Sequence, residues 1–278
     1  MSQESRALAR SGSPLRIGWL STGRGPGSRR LLESTLAAIQ HDELSASIEY
    51  VFCSRARGEA DGSDAFLEIV EENGITPLTL SFRAFREAHA PSDPDWRRRY
   101  NADLLRLLSQ PPVDVLVLAG LLLILDETIV TTFPTLNLHP AAPGGPVGTW
   151  QEVIRSQIQE LASESGAMIQ LATAAVDRGP IAAYCRFPIR GPGLDPLWSE
   201  YGAAPDFSSP DEIETTSLFE AIRAEGVFRE VPLLISTLRA VANDDLRFDR
   251  GRVLDRAGQS SAGLNLTDEI EEALNLSR

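Results

Sequence analysis

The chain has 278 residues, 42% hydrophobic and 23% charged, with a formal net charge of −13. That is globular composition with length enough for a sizeable core, and no apolar run approaches the roughly 20 residues of a membrane span. The acidic balance opposes sequence-independent attraction to nucleic acid or anionic membrane, so the expected partners are small molecules, with a monomer and a homodimer equally open.

The first 14 residues, "MSQESRALARSGSP", are polar and lack the apolar stretch of a secretory signal. They read as a disordered tail of a cytoplasmic protein. "LRIGWLS" (15–21) reads as a strand, followed by a glycine-rich turn and a helix over about 28–40. "ASIEYVFCS" (46–54) is the next strand, then a helix near 63–74 and a short strand at "TPLTL". An arginine- and leucine-rich helix covers about 95–109. "VDVLVLAG" (113–120) is a continuous apolar run, the mark of a strand buried on both faces. "TLNLH" follows after a short helical turn. A helix at about 149–162 precedes two further strand-like runs, "AMIQLATAAV" and "IAAYCRFPI". Strands alternating with helices predict an α/β fold with a Rossmann-like, mostly parallel sheet and helices on both faces.

Residues 191–212, rich in proline, glycine and acids, read as a long loop, either a lid or an idle insertion. Helix returns at about 216–242, "LRFDRGRVLD" suggests a small hairpin, and the 256–278 segment reads as a tail with a short acidic helix. Cys53 and Cys185 lie in apolar runs without metal or disulfide spacing and read as reduced core residues.

Two segments carry chemistry. "STGRGPGSRRLLE" (21–33) places Gly23, Gly25, Gly27 and Ser28 between a predicted strand and a predicted helix. Glycines there let backbone approach an anion, and the free N–H groups of the helix start favour negative charge. The dinucleotide fingerprint fails, because Ser28 stands where the third glycine belongs, and no acid ends the second strand. Arg55, in "CSRAR", keeps a 2′-phosphate and hence an NADP-dependent oxidoreductase open as an alternative. In "FPTLNLHPAAPGG", Asn137 and His139 share one face of a strand end. His139 is the one histidine of three, with His41 and His89, that lies outside a polar segment. An amide beside an imidazole suits a developing oxyanion. Asp177, in the "VDRGPIAAY" turn, is a carboxylate suited to orient the imidazole and hold its charge. From spacing alone, a histidine that is merely structural stays open.

"VLAGLLLIL…FPTLNLHPAAPGG…SGAMIQLATAAVDRGPI" resembles the formyltransferases that use 10-formyltetrahydrofolate. That family carries an "AG-x-x-x-IL" strand end, an "N-x-HP" pair and a "D-x-GP-I" loop some 35 to 40 residues on; here Asp177 stands 38 residues after His139. The resemblance covers roughly 15–255, which is the expected catalytic domain, with 191–212 as an insertion. It implies Asn137, His139 and Asp177 as catalytic residues. It implies the segment with Leu122, Leu123 and Leu125, together with Val176 and Gly179, as the folate-binding part. The glycine turn would hold a substrate phosphate with Arg97, or its neighbour Arg98, and Glu225 or Glu230 would contact the acceptor. The implied activity is formyl transfer to a primary amine, glycinamide ribonucleotide of purine synthesis or a related phosphorylated amine. An amino-sugar nucleotide acceptor and a non-catalytic folate- or phosphate-binding relative remain alternatives. The segment after Pro140, "AAPGGPVG", departs from the family's "SLLP", and Gln170 stands where a histidine is usual.

Overall fold

The computed structural model describes residues 13–175, 177–203 and 210–276; the expected N-terminal tail lies almost wholly outside them. The described chain forms two compact units. The first holds the N-terminal part to Asn137 with Leu171–Pro180 and Leu238–Ser261; the second holds Leu138–Gln170, Ile181–Thr237 and the remainder. The fold is α/β, with a mostly parallel sheet and helices around it.

In the first unit, strands β1 (Leu15–Ser21), β2 (Ala46–Cys53), β3 (Thr76–Thr79), β4 (Val115–Leu118) and β5 (Thr135–His139) are joined by helices α1 (Pro26–Gln40), α2 (Asp61–Glu72), α3 (Phe82–His89), α4 (Trp96–Leu108) and α5 (Glu127–Thr132). These strands pair in parallel: β1 with β2 and β4, β2 with β3, and β4 with β5 up to Leu118 opposite Asn137. The apolar runs of β1 and β4 are buried almost throughout, as strands covered on both faces must be. One face packs Leu20, Tyr50, Phe52 and Leu116 against Tyr100 and Leu104 of α4 and Ile129 of α5. Helix α3 is a helix that the sequence reading omits: Ser81 caps it by accepting from the Ala84 N–H, and Phe82 and Phe85 meet Tyr100 edge-on.

The second unit contains α6 (Trp150–Gln159), β6 (Glu164–Leu171), β7 (Ile181–Pro188), α7 (Asp195–Ala203), α8 (Pro210–Glu214), α9 (Ser217–Ala242), β10 (Leu264–Asn265) and α10 (Thr267–Leu276); the hairpin β8 (Leu246–Asp249) and β9 (Arg252–Asp255) belongs to the first unit. Strand β7 runs antiparallel to β6 and parallel to β10. The 191–212 segment is not a plain loop. Trp198 of α7 is buried, donates its indole N–H to the Ile189 carbonyl at 2.5 Å, and joins a core with Ile154, Phe187, Phe219 and Ile222. The segment after 256 is likewise tied down: β10 extends the strand pairing and Ile270 is buried. Cys53 and Cys185 are free and buried, and burial pushes the Cys185 thiol up to about 11.

Candidate active site

The glycine turn is stitched to the end of β4. The Ser21 hydroxyl donates to the Ala119 carbonyl at 2.7 Å and accepts from the Gly23 N–H at 2.9 Å. The Thr22 hydroxyl accepts from the Leu122 N–H at 3.0 Å, and Thr22 N–H reaches the Gly120 carbonyl. Gly23 must be glycine twice over: its φ is +65°, and a Cβ would stand 2.8 Å from the Phe66 ring. Gly25 is the extended N-cap of α1, Pro26 opens the helix, and no side chain caps the free N–H groups. Side chains added at Gly25 or Gly27 would enter open space, so the turn presents bare backbone. Ser28 is 9% exposed, and its hydroxyl makes no hydrogen bond among the described residues.

After β4 the chain turns through Gly120 and exposes Leu122 and Ile124, 68% and 73% accessible, while Leu123 and Leu125 pack into the first core. Of the three consecutive arginines, Arg98 pairs with Asp95 and Arg99 with Asp93. Arg97 is exposed, stacks over Trp96 at 5.2 Å, and makes no ion pair among the described residues. The geometry therefore leaves Arg97 as the arginine with a guanidinium to spare for an anion.

Residues 171–180 form a closed loop. The Leu171 N–H donates to the Pro180 carbonyl at 2.9 Å, and a Cβ on Gly179 would lie 1.6 Å from the Leu171 carbonyl oxygen. Glycine is thus required for the loop to shut. It shuts with Asp177 in the left-handed region at φ +54°, a cost compact structures tolerate where something else fixes the residue. The Asp177 carboxylate accepts from the Asn137 amide at 3.2 Å. Val176 lies outside the described residues.

His139 is 2% exposed, and its Nε2 lies 3.1 Å from the Pro146 carbonyl. A carbonyl only accepts, so this nitrogen carries the proton. Asp177 is expected to orient His139; the Asp177 carboxylate also accepts from Asn137, and the imidazole also meets the Pro146 carbonyl. Pro146, within "AAPGGPVG", thus contacts the imidazole.

Glu225, expected to face the acceptor, is committed elsewhere. It pairs with Arg229 at 2.7 Å, and Arg229, itself buried, also binds Glu271 of α10 and stacks over Phe187. Glu230 is the one that lines a cleft, with Pro140, Ser165, Gly166, Phe187 and Arg223.

A model of the formyl transferase family matches residues 26–191. The chain belongs to the formyl transferase family. Phosphoribosylglycinamide formyltransferase of Saccharomyces cerevisiae is 33% identical over 164 residues, 55% of this chain and 75% of that enzyme. Its Escherichia coli counterpart is 27% identical over 161 residues, 57% of this chain and 68% of that enzyme. Among solved structures, phosphoribosylglycinamide formyltransferase of Coxiella burnetii superposes with a TM-score of 0.66 at 19% identity, over 91% of this chain and 99% of that one. A formyltetrahydrofolate deformylase of Burkholderia mallei follows at 0.61 and 14%, over 87% and 70%; these two likenesses speak to the fold alone. The family assignment makes the chain a formyltransferase with a folate-derived co-substrate and leaves the NADP alternative without support. Among the described residues, no helix is long and apolar enough to cross a membrane and no cluster could hold a metal ion.

Proposed function

We propose that this formyltransferase moves a formyl group from 10-formyltetrahydrofolate to the primary amine of a phosphorylated acceptor, with glycinamide ribonucleotide as the leading acceptor. The observation that carries the reading is the Asn137–Asp177 hydrogen bond, made across 40 residues by a loop that only glycine at 179 allows to close. The donor supplies an electrophilic formyl carbon, and attack by the amine puts negative charge on the formyl oxygen. Asn137 has two amide hydrogens; Asp177 takes one and fixes the amide's orientation, leaving the other for that oxygen. His139, anchored at Nε2 by the Pro146 carbonyl, adds a second donor when protonated and exchanges its proton at Nδ1. Asp177 assists proton movement through water.

The exposed apolar side chains of Leu122 and Ile124, on a backbone held by Thr22, fit a flat folate ring system. Gly25, Gly27, Ser28 and Arg97 offer amides, a hydroxyl and a guanidinium to the acceptor phosphate. Within the cleft, Glu230 takes over the acceptor-contacting role expected of Glu225. The test is steady-state turnover with 10-formyltetrahydrofolate and glycinamide ribonucleotide. Tetrahydrofolate should appear only when both are present. Release of formate without the amine, or no thermal shift with a folate analogue, overturns the proposal.

A further inference from the structure

Helix α9 sets Arg223, Gly226 and Glu230 along one side, three and seven residues apart. Gly226 contributes no side chain, so the helix surface carries a notch with a guanidinium at one end and a carboxylate at the other. Both line the cleft whose rim includes Pro140, the residue after His139. Glu230 is 6% exposed and Arg223 Nη1 reaches its Oε1 at 2.5 Å. The guanidinium also lies 4.8 Å from the centre of the Trp150 indole. Across the cleft, Ser165 is 5% exposed, and its hydroxyl makes no hydrogen bond among the described residues.

A carboxylate this buried requires a cation beside it at every stage. In the free protein that cation is Arg223. An acceptor's ammonium can replace it, but Arg223 is then released while the indole still holds its plane in the notch. An amine with nothing else to offer satisfies Glu230 and strands the guanidinium. An amine with an oxygen acceptor on the neighbouring carbon satisfies both, and Ser165 adds a hydroxyl. We propose that Arg223 is a specificity-determining residue that selects α-aminoacyl acceptors, reading the carbonyl or carboxylate oxygen next to the amine that Glu230 holds. The inference rests on the formyl-transfer reading only for the presence of an amine in this cleft.

Calorimetric binding of glycinamide ribonucleotide, without folate, tests it in the wild type and in Arg223→Lys, which keeps the charge opposite Glu230 but loses the planar fork. A hydrogen bond to a charged group corresponds to roughly tenfold or more in affinity. The expected result is that loss in Arg223→Lys, with KM raised, kcat within about twofold of wild type and folate-analogue binding unchanged; Arg223→Met, which strands the Glu230 carboxylate, should show it together with a lowered melting temperature. A matched phosphorylated amine lacking the carbonyl should bind the wild type weakly and the variants no differently. Equal or tighter binding of glycinamide ribonucleotide by Arg223→Lys, the result for a mere competing counter-ion, overturns the inference, as does equal wild-type binding of the carbonyl-free amine. Arg223-dependent binding without any turnover supports this inference and removes the proposed activity; turnover with unaltered KM in the variants does the reverse.

Discussion

The loop over 171–180 and the loop over 140–148 both leave a strand end, and both are built from proline and glycine, yet they are held by different means. The first is shut by contact: Gly179 lies so close to the Leu171 carbonyl that no other residue fits, and the chain returns to pair Pro180 with Leu171. The second is held by hydrogen bonds, within itself and from its neighbours. Gly145 N–H reaches Ala142, Arg186 donates to the Pro143 carbonyl at 3.0 Å, and the Pro146 carbonyl accepts from His139. A loop fixed by sterics tolerates almost no change at its closing residue. A loop fixed by donors and acceptors can vary in sequence so long as the partners are replaced.

The largest expected effect breaks the first loop's purpose without touching its closure. Asn137→Ala removes the amide that Asp177 holds, and loss of one oxyanion donor costs about 3 kcal/mol of barrier. Turnover should fall by roughly a hundredfold or more while the melting temperature stays within about 2 °C of wild type; unchanged kcat would remove Asn137 from the mechanism.

Gly179→Ala attacks the closure itself. The methyl group cannot lie 1.6 Å from a backbone oxygen, so the loop must open, with a strain of about 2 kcal/mol by analogy with overpacked cores. Urea unfolding should register that loss, and turnover should fall with it because Asp177 no longer meets Asn137. A stable, active Gly179→Ala protein would show that closure is incidental.

These contrasts also explain what could be read from residues alone. The alternation of strand and helix and the buried runs of β1 and β4 were legible, because periodicity leaves its mark in sequence. The hydrogen bond between Asn137 and Asp177 was not, since it depends on a left-handed φ at Asp177. Nor were the ion pairs of the two candidate glutamates, Glu225 with Arg229 and Glu230 with Arg223. The 191–212 segment misled by composition: its proline, glycine and acids read as loop, whereas one buried tryptophan, Trp198, anchors a helix there. The last helix opens with acids, and Ile270 marks the side it buries.

The smallest expected effect probes the second loop. It ends in a capping box, where the Thr149 hydroxyl accepts from the Glu152 N–H and the Glu152 carboxylate accepts from the Thr149 N–H. Thr149→Ala should cost about 1 kcal/mol, seen as a melting temperature lower by about 3 °C. The pH dependence fixes the cause. Hydrogen bonds from Thr149 hold the Glu152 carboxyl below its ordinary value of 4.5, so its stabilising contribution is present above that value and is lost as the pH falls below it. Thr149→Ala keeps the backbone donor and loses the hydroxyl one, so its difference from wild type should narrow in acid without vanishing, the helix cap still being absent. Because Pro146 lies only three residues before the cap, the ¹⁵N spectrum of His139 reports whether the damage travels. A neutral ring that keeps its proton on Nε2 in the variant means the donors around the loop suffice without the cap. A ring that loses that preference means the capping box holds the imidazole as well as the helix.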